Sequence, residues 1–202
     1  MTESEKKSKS GRRTLVLLIV LFSAPIVLAY YINQHLQKTG NFKTKNYGEL
    51  IVPPRPLIDV ELQKYPSGIF NFSNIHGKWV LVYFGSAECD KKCEETLYKM
   101  RQSRLAQGEE LNRINRVYIS IDGKPAASLV KILSAHPGMI VAYGNSLNAG
   151  SLFRQFSKDG EKDADLYLVD PLGNLMISYP PGFEAKGLVK DLTHLLKASQ
   201  IG

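Results

Sequence analysis

Cys89 and Cys93 are the only thiols in the 202-residue chain, and they stand four residues apart where the local pattern changes. Ahead of them, Trp79-Val80-Leu81-Val82-Tyr83-Phe84 has the β-branched and aromatic content of a buried strand. Gly85-Ser86-Ala87 breaks that run, and Glu94 to Leu105 reads as a helix. A thiol pair where a buried strand hands over to a helix N-terminus is a candidate chemical site, because that end of a helix lowers thiol pKa values. At this spacing the two Cα atoms would lie about 6 Å apart, within the range a disulfide allows. A bridge closing so short a loop would add only about 2 kcal/mol as a staple, so redox or metal chemistry is the stronger reading. A structural staple and inert free thiols are the alternatives. Lys91 and Lys92, between the cysteines, either favour the thiolate or form a solvated first turn.

The elements that must carry this site begin with a membrane segment. Residues 1–13 are polar and basic, with five basic and two acidic side chains, and residues 14–32 then run without a charge. As a helix, Thr14 to Ile32 would span roughly 28 Å, enough for the hydrocarbon core of a bilayer. Tyr30 and Tyr31 fall where an interfacial aromatic belt would lie, and the basic residues ahead of the span predict a cytoplasmic N-terminus. No A-x-A-like cleavage site follows Ala29, so an uncleaved anchor is expected rather than a signal peptide. Of the formal net charge of +7, the first 13 residues contribute +3 and the rest +4. No Lys/Arg cluster with interleaved aromatics occurs, which excludes nucleic acid as an expected partner. Beyond the membrane the compartment is oxidising, where a cysteine pair can form a disulfide.

Residues 33–56 read as a tether, polar first and then Pro-rich through Ile51-Val52-Pro53-Pro54-Arg55-Pro56. Residues 57–202 read as one domain. Leu57 to Leu62 and Ile69 to Phe72 alternate like strands around Pro66-Ser67-Gly68. After the cysteines come a helix over Glu94 to Leu111 and a second buried strand over Arg116 to Ile121. A helix over Ala126 to Leu133 leads through His136-Pro137-Gly138 into Met139 to Tyr143. A short helix over Asn145 to Phe156 follows, then a charged loop over Ser157 to Asp163. A hairpin around Asp170-Pro171-Leu172-Gly173-Asn174 and a terminal amphipathic helix over Leu188 to Leu196 complete the chain. This is an α/β order, with a central mixed sheet flanked by helices. The cysteines sit at the C-terminal end of the first βα strand, where open α/β sheets place their active residues. The expected fold is thioredoxin-like, behind one N-terminal transmembrane helix.

On these residues the segment from about Leu57 to Leu196 resembles the Sco/SenC proteins, membrane-anchored thioredoxin-like factors of cytochrome c oxidase assembly. The resemblance is carried by Gly77-Lys78, Phe84-Gly85, Cys89-x-x-x-Cys93, Leu97, Ile121-Asp122, His136-Pro137 and Tyr167-Leu168-Val169-Asp170-Pro171-Leu172-Gly173. Gly48 to Pro56 (G-E-L-x-V-P-P-R-P) is also similar to the tether of short anchored proteins that accompany cytochrome oxidase genes in some bacteria. Two departures stand out. Asp90 follows the first cysteine where the family usually has Pro. The family's copper-ligand histidine would fall near Glu161-Lys162-Asp163, and no histidine is there.

The resemblance implies copper handling, thiol–disulfide exchange, or both, at Cys89 and Cys93. Two thiolates suit soft Cu(I), whereas Cu(II) calls for nitrogen ligands as well. His136 lies in a turn that the family shares without using it as a ligand. His76 precedes the first strand at the far end from the cysteines, His194 is on the terminal helix, and His35 is in the tether. Asp163 or Asp165 would offer oxygen, a poor match for Cu(I). Thioredoxin-like enzymes normally use C-x-x-C facing a cis-Pro, and no Pro precedes Leu166, so a slow, partner-specific reductase is expected rather than a fast general one. Ser86 is near the thiols, but the peroxiredoxin pattern is missing. The expectation is a single-pass inner-membrane protein with its domain in the periplasm. Its expected partner is a respiratory oxidase subunit or another assembly factor. A general extracytoplasmic thiol–disulfide oxidoreductase is the alternative. So is a non-catalytic interaction module offering Tyr179-Pro180-Pro181-Gly182-Phe183 and the tether as contact surfaces.

Overall fold

The computed structural model of the chain describes residues 3–39, 46–145, 147–157 and 166–201. The chain divides into two units, residues 1–45 and 46–202. The first unit is helix α1 (Glu3–Thr39), with Pro25 inside it. Its segment Arg12–Ile32, 21 residues long, is the one helical stretch among the described residues that is long and apolar enough to cross a membrane.

The second unit is built on an eight-stranded sheet of order β1-β8-β7-β4-β5-β6-β2-β3. The strands are β1 (Glu49–Pro56), β2 (Leu62–Tyr65), β3 (Ile69–Phe70), β4 (Trp79–Gly85), β5 (Ile114–Ser120), β6 (Met139–Tyr143), β7 (Leu166–Val169) and β8 (Asn174–Tyr179). The helices are α2 (Lys91–Leu105), α3 (Ala127–Leu133), α4 (Asn148–Phe156) and α5 (Ala185–Ala198). β4, β5 and β6 run parallel, and β7 pairs antiparallel with β4, so the sheet is mixed as expected. β4 is central and covered on both faces, which is why Trp79 to Tyr83 is apolar throughout rather than alternating. On one face Trp79, Leu81, Tyr83, Ile114 and Tyr118 pack with Leu97 and Met100 of α2, Leu129 of α3 and Leu188, Leu192 and Leu196 of α5. On the other, Val80, Val82, Val117 and Ile119 pack with Leu152 and Phe156 of α4 and with Phe70 and Phe72.

Several sequence expectations shift. The Pro-rich stretch read as tether is strand β1, paired antiparallel with β8 at the sheet edge. Proline cannot donate to a ladder and is tolerated at an edge, and here the register slips between Leu50 and Arg55. The strand expected over Leu57 to Leu62 starts only at Leu62. Ahead of it the backbone is satisfied elsewhere: Leu57 N–H donates to the Gly173 carbonyl at 3.0 Å. Ile58 exchanges two hydrogen bonds with the Gln155 amide, at 2.7 and 3.0 Å. The strand expected over Ile69 to Phe72 gives way to a 3-10 turn at Phe72–Ile75. The helix after the cysteines ends at Leu105, and a separate 3-10 turn covers Gly108–Arg113, with Gly108 at φ +60°. The short helix expected from Asn145 begins at Asn148, and the Asn145 side chain ahead of it accepts from the Leu147 and Asn148 amides at 3.1 and 3.0 Å. The charged loop lies outside the described residues from position 158 onward.

A buried carboxylate fixes where the second unit begins. Asp191 of α5 is 4% exposed. It accepts from the Tyr47 amide at 3.0 and 3.1 Å, the Gly48 amide at 3.0 Å and the Tyr179 hydroxyl at 3.0 Å. The Tyr47 side chain lies over Gly187, where a Cβ would meet the Tyr47 Cβ at 2.7 Å and its ring at 3.0 Å, and the Tyr47 hydroxyl accepts from Lys190 Nζ at 2.8 Å. Burial, with Asp191 alongside, drives the Tyr179 pKa far upward, so the phenol stays protonated and donates. Hydrogen bonds to a charged group are each worth about 1.5–3 kcal/mol, and orphaning the two amides adds a desolvation cost. Asp191→Ala is therefore expected to destabilise the protein by roughly 3 kcal/mol or more, and Tyr179→Phe, which leaves both amides satisfied, by about 1–2 kcal/mol. Urea unfolding followed by circular dichroism checks both values and their order.

Candidate functional site

The site sits where β4 ends. Gly85 closes the strand, and the loop after it is held by the neighbouring parallel strand rather than by its own turn. Ile121 N–H donates to the Gly85 carbonyl at 3.0 Å, and Ala126 N–H to the Ala87 carbonyl at 2.9 Å. The Asp122 carboxylate accepts a short hydrogen bond from the Ala87 amide and lies 3.2 Å from the Ser120 hydroxyl. Ser86 Oγ donates to the Glu88 carbonyl and accepts from the Glu88 amide at 3.2 Å. The loop is thus anchored from below before the first cysteine is reached.

Cys89 and Cys93 are joined in a disulfide, with their Cα atoms 5.3 Å apart. Asp90 is the N-cap of α2: its Oδ1 accepts from the Cys93 amide at 2.8 Å. The residue in the place of the family's usual proline therefore satisfies one of the orphan amides of the helix start. Cys93 occupies the first turn of α2, where the helix dipole favours a thiolate. Lys91 and Lys92 are exposed. The two sulfur positions are unequal. Cys93 is 4% exposed and packs into the core, whereas Cys89 is only half-buried at the core's edge. Tyr83, Ser86, Glu88, Cys89, Asp90 and Cys93 line a pocket of about 340 Å³.

Beneath the disulfide lies Tyr118 of β5. It is fully buried, donates to the Ser86 carbonyl at 2.6 Å, and holds its hydroxyl oxygen 4.0 Å from Cys93 Sγ. Burial, followed by Tyr83, Asp122 and Asp90 nearby, raises its pKa well above the ordinary 10, so it remains a neutral phenol. Its ring packs against Tyr83, with centroids 5.5 Å apart. This arrangement explains Gly85, since a Cβ there would run into the Tyr118 hydroxyl and meet the Tyr83 ring at 2.9 Å.

Both cysteines named from the sequence are thus brought together at the expected edge. The histidines are not brought to them. His76 packs against Gly173 in the β7–β8 turn, His194 is exposed on α5, and His35 stacks on Tyr31 in α1. His136 is buried in the turn between α3 and β6, and β6 pairs in parallel with β5, so that turn lies at the opposite end of the sheet. Asp163 and Asp165 lie outside the described residues. Among the described residues no group of three or more His, Cys, Asp or Glu side chains could hold a metal. The two cis-proline bonds among the described residues, Val52–Pro53 and Tyr65–Pro66, are in other parts of the sheet. The sequence reading missed Asp90 as cap, Asp122 as loop anchor and Tyr118 as the floor of the site. Only Asp90 carried a signal, an Asp placed just before a helical run.

Gly85→Ala is expected to cost about 2 kcal/mol, in the range of core overpacking. In a Tyr118→Leu background the same change should cost much less, because the two residues compete for one volume. A double-mutant cycle by urea unfolding measures that coupling.

Comparison with known proteins agrees with this geometry. Residues 79–199 match the family described as "Transmembrane-like, thioredoxin-like, C-terminal domain". The mitochondrial SCO2 homolog of Mus musculus is 25% identical over 144 residues, 62% of this chain and 56% of that protein, so the chain spans about half the length of this relative. Yeast Sco1 superposes with a TM-score of 0.62 at 21% identity, covering 73% of this chain and 97% of that one. Bradyrhizobium japonicum ScoI, solved with copper bound, superposes with a TM-score of 0.56 at 19% identity, covering 69% and 98%. At those identities the two structures establish the fold. The chain belongs to the transmembrane-like, thioredoxin-like C-terminal domain family and is similar in sequence to Sco proteins.

Proposed function

We propose that the protein is a membrane-anchored Sco-like assembly factor for respiratory cytochrome c oxidase, working through thiol chemistry at Cys89 and Cys93. The observation that carries this reading is the inequality of the pair, a half-buried Cys89 bonded to a buried Cys93 at the head of a helix. An incoming thiolate reaches Cys89 Sγ far more readily than Cys93 Sγ. Attack at Cys89 breaks the disulfide, forms a mixed disulfide with the partner, and expels the Cys93 thiolate, which the α2 N-terminus stabilises. A second partner thiolate then displaces Cys89, leaving the partner oxidised by two electrons. In reverse, the Cys89 thiolate attacks a partner disulfide. Cys93, deprotonated, then closes back on Cys89 and releases the partner as a dithiol. The neutral Tyr118 hydroxyl lies 4.0 Å from Cys93 Sγ.

In the reduced state the two thiolates fit Cu(I) as cargo, being soft donors close together. They do not by themselves make a site for Cu(II), which prefers added nitrogen ligands. The basic residues ahead of the span support a cytoplasmic N-terminus and a periplasmic domain. There the disulfide persists until a reductant or partner opens it. The oxidase link is supported by the similarity to Sco proteins, and the partner would be an oxidase subunit or a second assembly factor.

A Cys93→Ser variant in its native membrane is expected to accumulate a mixed disulfide through Cys89, seen as a reductant-sensitive band on non-reducing gels. A Cys89→Ser variant should trap far less. Absence of any adduct, with a Cys89→Ala/Cys93→Ala double variant supporting full oxidase activity, would remove the thiol mechanism. Reduced protein titrated with Cu(I) under a competing chelator should take up one equivalent. The double variant should take up none, and Cu(II) should not be retained.

A further inference from the structure

At the other end of the same layer, between the sheet and helices α2 and α3, lies a set of cations that no carboxylate among the described residues pairs with. Arg116 of β5 pairs with Leu81 of β4 and faces the layer that holds Tyr118 two residues further on. It is 3% exposed. Its Nη2 donates to the Pro137 carbonyl at 2.6 Å, and its Nε and Nη1 meet no acceptor. Arg104 reaches in from α2, its Nε donating to the Ile114 carbonyl at 2.8 Å, and Arg101 stands one turn earlier on that helix. His136, in the turn that supplies the Pro137 carbonyl, is 8% exposed and its Nδ1 has no partner. Trp79 Nε1, on the same sheet face, is a further buried donor without an acceptor. Among the described residues, no carboxylate pairs with Arg101, Arg104 or Arg116.

Such a grouping is unusual. Buried guanidinium groups are almost always paired, and an uncompensated buried charge costs several kcal/mol. Buried donors without acceptors usually mark a place where an ion or water belongs. The C-terminal turn of α2 accounts in part for Arg104, but the freed donors of Arg116 are not engaged by it. Burial, and then Arg104 and Arg101, push the Arg116 pKa down to about 10, so the group is still a cation at neutral pH. Burial first, then Arg116 and Arg101, lowers the His136 pKa, which leaves a neutral imidazole able to offer a single N–H. Arg101 and Arg104 are half-buried and give the cluster access to solvent.

We infer that Arg116, with Arg101, Arg104 and His136, forms a binding site for a small oxyanion, either a carboxylate or a tetrahedral phosphate or sulfate. The Arg116 guanidinium supplies charged N–H donors from Nε and Nη1, which diverge rather than lie parallel, and both oxyanion classes accept from such donors. The site is separate from the disulfide and would act on the stability of the sheet's β5 and β6 strands.

The test is thermal unfolding and titration calorimetry of the full chain in a non-ionic detergent. Phosphate, sulfate or acetate would be added separately and compared with chloride at constant ionic strength. The inference predicts a saturable rise in Tm and a calorimetric binding signal with at least one oxyanion, which also identifies the class. In Arg116→Met both signals disappear. Without oxyanion that variant is at least as stable as the parent chain, because an unpaired buried charge has been removed. Should Arg116→Met fail to fold, Arg101→Gln carries the test, with binding weakened roughly tenfold. An effect equal for chloride and oxyanions, or one that persists unchanged in the variants, would overturn the inference.

Discussion

The hydrogen bond from the Tyr118 hydroxyl to the Ser86 carbonyl is the contact on which the site depends. It joins the middle strand's neighbour to the loop that presents the cysteines, and it holds only because Gly85 leaves room for the phenol. Around it, the Asp122 carboxylate and the Ala87 carbonyl extend parallel pairing past the end of β4. The loop therefore behaves as a continuation of the sheet. A disulfide that opens and closes needs its two sulfurs returned to one geometry. A loop tied to the sheet, followed by a helix capped at Asp90, supplies that without using the sulfurs themselves as the constraint.

The inequality of the two cysteines follows from the same construction. Cys93 is drawn into the core because α2 must place Leu97 and Met100 against Leu81 and Tyr118, and the first turn comes with them. Cys89 lies before the cap and has no such obligation. Chemistry and packing are therefore not in competition here. In the proposed mechanism the half-buried sulfur meets partners, and the buried one is held by the core and by a helix start that tolerates negative charge.

What was legible in the sequence was local or periodic. The run from Trp79 to Phe84, the break at Gly85, the two thiols and the helix after them can be read by anyone counting residue types, and they locate the site. The parallel strand at Val117 to Ile119 and the hairpin at Asp170 to Asn174 are equally plain. The edge strand Glu49–Pro56 was not, because three prolines read as an extended linker. Only its place beside β8, with a register slip to absorb them, makes it a strand. Tyr118 looked like one more core aromatic, since nothing local ties it to Ser86, 32 positions away. Arg116 and Asp191 were hidden for the same reason. A charged residue at a strand start or on a terminal helix reads as surface, and only the assembled layers bury it. Residues whose role depends on distant partners are the ones a single sequence conceals.

In the proposed mechanism Cys89 is the reacting sulfur and Cys93 the enclosed one. The most direct measurement is the rate at which each is alkylated in the reduced protein under limiting iodoacetamide, quantified by peptide mass spectrometry. Thiolate character and exposure govern such rates, and Cys89 is expected to be modified at least ~10-fold faster than Cys93. Equal labelling of the two, or faster labelling of Cys93, would contradict it.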